Sequence, residues 1–598
     1  MNRRELLRGS LVLPLAGVWP GLASAKPLSR VRPGDAAWPS LAHWDELRQR
    51  TGGRLIEVRS PLAVCRETPV GADCRTLFKE LKNPYFIGDE VGLTQTTGWI
   101  DAWNLQESAY AVAAETTSDI VAVVDFARSH NLRLVVKGGG HSYLGTSNAP
   151  DSLLIWTRRM YDIEVHEDFV AHGSDSAPQP AVTVGPGAIW MHTYNAVTTK
   201  AGRYVQGGGC GTVGVAGLLL GGGFGTYSKT YGTAAAGLLE AEVVTADGMV
   251  RTANAATNPD LFWALKGGGG GSFGVVSRMT LRTRDLPATV GIVIATIEAR
   301  SDAAFRRLLA RFLDFYRDSL FTPNWGEIVN VRRENRLEIR LEFRDFDRQQ
   351  AEALWQPFFA SVASSDELNF SLPPRVVAGP ARHRWDPEWL KKYAPGAILV
   401  DDRSGAPKDN IFWSSNLGEA GHFLHGFESA WLPASLLAAA AQDRLVSALF
   451  AASRLWSIEL HFQKGMAGAA AETLAAVADT PTNPAVLDAF ALAIIAGEGP
   501  PAFPDLRGYQ PDLAAARRNA SAIAQAMVEL RKAAPETGSY VAESSYFEPD
   551  WQHRYWGKHY SKLLEIKQKY DPDGLFFVRH GVGSEAWSDD GFARLAAR

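Results

Sequence analysis

The chain has 598 residues, 46% of them apolar and 21% charged, with 61 basic against 65 acidic side chains and a net charge of −4. That length exceeds what one hydrophobic core supports, so more than one domain is expected, and the composition excludes general disorder. The near balance of charge offers no field for nucleic acid.

Residues 1–25 read as a signal peptide. Arg3, Arg4 and Arg8 form a cationic start, the stretch from Gly9 to Leu22 is uncharged and mostly apolar, and Ala23-Ser24-Ala25 is a small-x-small cleavage site. The Arg3-Arg4 pair followed by Leu6-Leu7-Arg8 resembles a twin-arginine signal, whose pathway exports folded proteins; an ordinary secretory signal is the alternative. The apolar run is short and broken by Pro14 and Pro20, so no membrane anchor is expected after cleavage, and the mature chain is expected to be periplasmic or extracellular. An oxidising compartment lets Cys65 and Cys74, nine positions apart with Pro69 and Gly71 between them, close a disulfide; two free buried thiols are the other reading. Cys210 is then left unpaired.

Further along, Ser118 to His130 has helical apolar spacing (Ile120, Val123, Val124, Ala127) with Ser118 as a cap. Leu132 to Val136, Leu239 to Thr245 and Val275 to Leu281 are expected strands, the second ending in the turn Ala246-Asp247-Gly248. Glycine gathers beside these elements: at 138–140 with Gly145, at ten of the nineteen positions 207–225, and at six of the eight positions 267–274. Such density weakens helices and strands, so it marks backbone that turns sharply or presses against something. From about Leu286 the texture changes. Ala303 to Ser319 has helical spacing, Leu337 to Phe343 alternates as a half-buried strand, and Ser457 to Gln463 does the same, suggesting helices packed on a sheet. A closing helix is expected from Trp556 to Tyr570, stopped by Asp571-Pro572-Asp573-Gly574.

Three short motifs are weak. Gly209 to Gly214 spells G-x-G-x-x-G without a strand leading in or a βαβ unit around it. Gly270 to Gly274 spells G-x-S-x-G, but a strand rather than a helix is expected to follow. His422 and His425 lack an evident third ligand, and no metal is expected.

The longer pattern carries more. Leu134-Val135-Val136-Lys137-Gly138-Gly139-Gly140-His141-Ser142-Tyr143-Leu144-Gly145 sets a histidine in a tight loop after a strand, where backbone N–H groups can converge on a pyrophosphate. Gly207 to Gly217 sets Cys210 in a second loop, and Gly185-Pro186-Gly187 and Gly221-Gly222-Gly223-Phe224-Gly225 complete the set.

Together these loops resemble the flavoproteins of the vanillyl-alcohol oxidase superfamily, in particular the berberine-bridge-enzyme-like group. Asn83-Pro84-Tyr85-Phe86, Ser142-Tyr143-Leu144-Gly145 and His580 to Glu585 look nearest to its isoamyl-alcohol-oxidase-like branch. The resemblance implies an α+β fold: a PCMH-type FAD-binding domain of two α+β subdomains with an inserted substrate domain of antiparallel sheet covered by helices. It divides the chain into residues 26–286 for FAD, 287–540 for substrate and 541–598 as a segment packing back on the FAD domain. It implies FAD attached covalently through His141 and Cys210. The cradle is then Lys137, Gly138, Gly139, Gly140, Ser142 and Gly145 from the first loop. Gly209, Gly211, Thr212, Val213, Gly214, Gly217 and Gly221 come from the second, with Val276 beyond. It further implies a small-molecule substrate, an alcohol or sugar C–OH, giving hydride to the flavin, with O2 as acceptor, since Val213 is the small residue typical of the group's oxidases. A dehydrogenase, an oxidative cyclase or desaturase of an aromatic compound, and a noncatalytic flavin-binding protein are the alternatives. The base is expected on a strand Gly538 to Glu543, where the family's Tyr-x-Asn-Tyr is broken by Ala542 and Glu543. Glu543 is the first candidate, because burial would make a carboxylate a better base near neutrality than an unperturbed phenol. Tyr540 and His461 follow. Trp413, Trp431 and Trp456 are expected either as stacking walls or, as tryptophan usually is, as core.

Overall fold

The computed structural model describes residues 29–69 and 71–596; the expected signal peptide lies outside the described residues. The first helix expected around the glycine loops spans Thr117–Ser129, with Thr116 rather than Ser118 at its N-cap. The Thr116 hydroxyl accepts the Asp119 N–H and Asp119 reaches back to the Thr116 N–H, a reciprocal cap that Ser118 cannot form from inside the first turn. Asp119 also receives Arg54 at 2.7 Å. The helix feeds the strand Arg133–Lys137, which runs parallel to Ser152–Trp156 in a four-stranded sheet completed by Tyr110–Ala113 and Leu55–Glu57. Val123, Leu134 and Ile155 fill the space between helix and sheet.

A second sheet places Leu238–Val244 between Val250–Asn254 and Val275–Asp285, with Gln179–Val184 and Ile163–Phe169 continuing outward. The C-terminal helices pack on this unit: Trp551, Tyr555, Trp556, Leu563 and Ile566 share one core with Val182, Val243 and Met279. The expected helix from Trp556 to Tyr570 is in fact two, Trp551–Trp556 and Tyr560–Tyr570. Gly557, at φ +54°, breaks them, which lets the Trp556 indole turn inward and donate to the Gly267 carbonyl at 3.0 Å.

The third sheet has nine strands, in the order Leu368–Pro380, Thr289–Ala299, Arg336–Arg344, Trp325–Arg332, Ile458–His461, Ala489–Gly499, His422–Pro433, Thr96–Trp99 and Trp103–Asn104. The expected alternation holds: Leu337, Ile339, Leu341 and Phe343 are wholly buried against helices, including Asp302–Phe315, Arg348–Ala363 and Ala439–Leu455. Each such side chain contributes roughly 1.5–3 kcal/mol by burial. The helix expected from Ala303 to Ser319 closes in a wider turn over Tyr316–Leu320. The strand expected to Gln463 stops at His461, and the turn Phe462–Lys464 carries Lys464 off the sheet. Residues 96–104 lie N-terminal to the glycine loops yet form this sheet's far edge, so the sheet binds the two halves of the chain together.

The result is a mixed α+β fold. Cys65 and Cys74 form a disulfide between two short helices, and Cys210 is free. Among the described residues no helix is long and apolar enough to cross a membrane.

Candidate active site

The two glycine loops meet through their backbones. A Cβ on Gly139 would lie 2.6 Å from the Gly214 nitrogen, and one on Gly214 2.9 Å from the Gly139 nitrogen, so neither position admits a side chain. Gly145, at φ +70°, lets the Trp103 ring approach to where a Cβ would stand 2.5 Å away. Beside this junction opens a cavity of about 790 Å³, within the range of ligand pockets. Gly138, Gly139, Gly140, His141, Ser142 and Gly145 form one wall, and Val213, Gly214, Gly217, Gly221 and Val276 another. The third glycine cluster, the turn 540–543 and residues 576–581 close it.

Five residues expected to bind FAD do not line this cavity. Lys137 turns away: its ammonium is buried, bonded to the carbonyls of Val91 and Leu93, and pushed by burial down to about 7. It braces residues 91–93 and leaves the cavity to the glycines. Gly211 faces Met191, and no atom stands near a Cβ on Gly209. Cys210 and Thr212 stand beside His141, which does line the cavity, with Thr212 Oγ1 3.3 Å from His141 Nε2 and 3.6 Å from Cys210 Sγ. A third group is present: Glu419 Oε2 lies 3.5 Å from Cys210 Sγ. The side-chain donors of His141, Cys210 and Glu419 all fall within 4.8 Å of one another. Burial, with His422 nearby, pushes His141 down to about 3, so its imidazole is neutral at pH 7 and keeps a nucleophilic nitrogen. Burial and the Glu419 charge push the Cys210 thiol up to about 12.

The cavity fits a dinucleotide. Among the described residues, Asn148 Oδ1, Ser272 Oγ and His580 Nδ1 are buried on its wall without a partner, and nothing stands within 4 Å of a Cβ on Gly217. Polar atoms so placed cost stability unless a ligand satisfies them.

The segment Gly538 to Glu543, expected as a strand, is instead a tight turn in which the Glu543 N–H donates to the Tyr540 carbonyl at 2.9 Å. Ser539 anchors it by donating to the Ser429 carbonyl at 2.6 Å. The reversal sends both Tyr540 and Glu543 to the cavity. The Tyr540 oxygen accepts the Gly223 N–H at 3.2 Å, and burial together with Glu543 holds its pKa well above the phenol range, so it stays protonated. Glu543 is no isolated buried acid, because the Lys464 ammonium bonds its Oε2. His461 does not line the cavity; its Nε2 lies 3.1 Å from Glu459, and burial and Lys464 keep the ring neutral.

Sequence reasoning passed over Lys464, Glu419 and Glu327. Glu327 has φ +74°, accepts the Thr226 hydroxyl at 2.6 Å and the Gln463 amide at 3.2 Å, and is pushed by burial and Glu342 up to about 7. No local motif marks these three, since their partners come from distant segments. His422 and His425 are on a strand, bonded to Thr96 and Asn519 respectively, and Ser272 leads into the strand Val275–Asp285 as expected. Trp431 is core beside Phe224, Trp456 donates to the Ala496 carbonyl at 2.7 Å, and Trp413 packs on Trp385.

Residues 108–254 match the family described as FAD binding domain, and residues 539–583 the one described as berberine and berberine like. The VAO-type flavoprotein oxidase VAO615 of Thermothelomyces thermophilus is 30% identical over 636 residues, covering 98% of each chain. The chain belongs to the berberine-bridge-enzyme-like, VAO-type FAD-binding flavoproteins. Its fold is that of the solved VAO-type flavoprotein MtVAO615 from Myceliophthora thermophila C1, with TM-score 0.76, 27% identity and coverage of 94% of this chain and 98% of that one. The fold also matches a glucooligosaccharide oxidase from Acremonium strictum, described with a 6-S-cysteinyl, 8α-N1-histidyl FAD, with TM-score 0.62, 21% identity and coverage of 80% and 92%. The likeness reaches VAO-type fungal flavoproteins as a group and does not single out the isoamyl-alcohol-oxidase-like branch expected from sequence details. This member is an FAD-linked oxidoreductase acting on small molecules.

Proposed function

We propose that the protein is an exported oxidase that takes hydride from the C–OH of an alcohol or sugar to FAD held by bonds to both His141 and Cys210, and passes the electrons to O2. The observation that carries the reading is the convergence of the His141 and Cys210 side chains within 4.8 Å beside a glycine-walled cavity that His141 lines. The glucooligosaccharide oxidase of similar fold has both linkages, and His141 and Cys210 are the histidine and cysteine available here. Bound FAD supplies the hydride acceptor. The chain supplies the rest.

Glu543 accepts the substrate hydroxyl proton, held toward the cavity by the turn at 540–543 and oriented by Lys464. Tyr540, kept protonated, donates orientation rather than base strength. Val213, on the wall beside the loop junction, is small enough to leave O2 a path. Export is supported by the Arg3-Arg4 leader and by the Cys65–Cys74 disulfide. We assign residues 26–286 to FAD, 287–540 to substrate and 541–598 to closing the FAD domain.

The test has two stages. Acid-denatured mature protein should remain yellow and should yield one flavin on a His141 peptide joined to a Cys210 peptide; colourless protein overturns the attachment. Peroxide release is then screened across sugars, primary and secondary alcohols and phenolic alcohols, and reduction of artificial acceptors without peroxide would overturn the oxidase reading.

A further inference from the structure

Glu419 has no part in the chemistry above, yet its Oε2 stands 3.5 Å from the Cys210 sulfur, slightly nearer than the Thr212 hydroxyl at 3.6 Å. It ends the turn Ser414–Glu419, far from both glycine loops in sequence. Its Oε1 accepts the Asn416 amide at 2.8 Å, which fixes the side chain and leaves Oε2 facing Cys210 Sγ at 3.5 Å. Thr212 Oγ1 then bridges Sγ to His141 Nε2. A continuous polar chain therefore runs from Glu419 through Cys210 and Thr212 to His141.

A cysteine reacts as its thiolate, and resting thiolates are made by cationic neighbours or helix N-termini. A carboxylate is the wrong charge for that purpose and the right group for another: it takes the proton as the sulfur attacks. We infer that Glu419 is the catalytic base for attachment of the flavin to Cys210, a role in building the holoenzyme rather than in turnover. The inference rests on the flavin reading above. The S–H proton passes to the Glu419 carboxylate while the sulfur forms the S–C6 bond. The C6 hydrogen leaves as a proton, its bonding pair reduces the flavin, and O2 reoxidises it to give H2O2. One thiol, one flavin and one O2 thus become one thioether-linked flavin and one peroxide. The protonation balance agrees: burial raises the carboxyl of Glu419 above the usual range, making it a stronger proton acceptor, and Cys210 is too weak an acid to ionise unaided.

The experiment produces the full-length protein in riboflavin-limited cells, adds FAD, and follows each linkage by peptide mass spectrometry between pH 5 and 9. In E419Q, attachment at Cys210 should slow at least about 100-fold while attachment at His141 proceeds. E419D should retain part of the rate, and its pH profile should be displaced from that of the parent. Attachment at Cys210 at the parent rate in E419Q overturns the inference. So does loss of both linkages in E419Q and E419D alike, which would make the carboxylate a builder of the cradle. Stoichiometric zinc in flavin-free protein, lost on replacing any of His141, Cys210 or Glu419, would assign the carboxylate to a metal and overturns it as well. Parent protein without flavin on Cys210 would instead contradict the attachment reading itself.

Discussion

The ammonium of Lys464 bonds Oε2 of Glu543, and this contact joins the nine-stranded sheet to the turn that faces the flavin cavity. The two residues are 79 positions apart. Replacing Glu543 by Gln keeps the shape and removes the proton acceptor. Turnover and the rate of anaerobic flavin reduction should both fall by about 10²–10⁴-fold, with covalent flavin retained. An unchanged reduction rate in stopped flow would remove Glu543 from the chemistry.

Lys464→Met deletes the partner of a largely enclosed carboxylate, the two side chains being 11% and 22% exposed. The loss should be roughly 2 kcal/mol, below the 3–5 kcal/mol of a fully buried pair. Chemical denaturation checks the stability. The double variant with Glu543→Gln should recover most of the loss if the cost is the unpaired charge.

Gly214→Ala places a Cβ 2.9 Å from the Gly139 nitrogen, backbone that cannot yield without parting the two loops. Flavin content of the purified protein should drop sharply, read from the ratio of visible to protein absorbance. Gly237→Ala, where nothing stands within 4 Å, is the matched control and should load normally.

Val213→Leu fills space on the cavity wall next to the loop junction. Reoxidation of the reduced enzyme by air should slow about 10-fold or more, while reduction by substrate changes little. Equal reoxidation rates would separate O2 access from this position.

Asp401 is a stability reporter in acid. Burial opposes its charge, but hydrogen bonds from Arg403, Asn410 and Asn83 outweigh that and lower its pKa from 3.8 to about 2. A carboxylate depressed in the folded state contributes stability that is present above pH 4 and lost as pH falls toward 2. Each tenfold gain in acidity on folding corresponds to about 1.4 kcal/mol, and solvent screening of the partly exposed Arg403 reduces the return. Asp401→Asn should therefore cost about 1–2 kcal/mol at pH 6. The two proteins should converge near pH 2 in denaturant titrations; a gap constant with pH would rule out the linkage.

Legibility differed by the range of the interaction involved. The strand at 336–344 and the helix at 117–129 could be read because period-2 and period-3.6 burial patterns are local. The break at Gly557 and the turn at 540–543 were not, since each is imposed by a distant contact: Trp556 on Gly267, and Ser539 on Ser429. Lys137 looked like part of the cradle by adjacency, and the fold spent it on two carbonyls instead.

By itself the sequence determined the chemistry available: a histidine and a cysteine, each in a loop where glycine alone permits the backbone to close, and a cysteine pair left over for a disulfide. Tertiary structure decided which groups meet. Glu419 reaches Cys210 across 209 positions, and Lys464 reaches Glu543 across 79. Hydrogen bonds and ion pairs act over a few ångströms of space regardless of chain separation, so no spacing rule in the sequence encodes them.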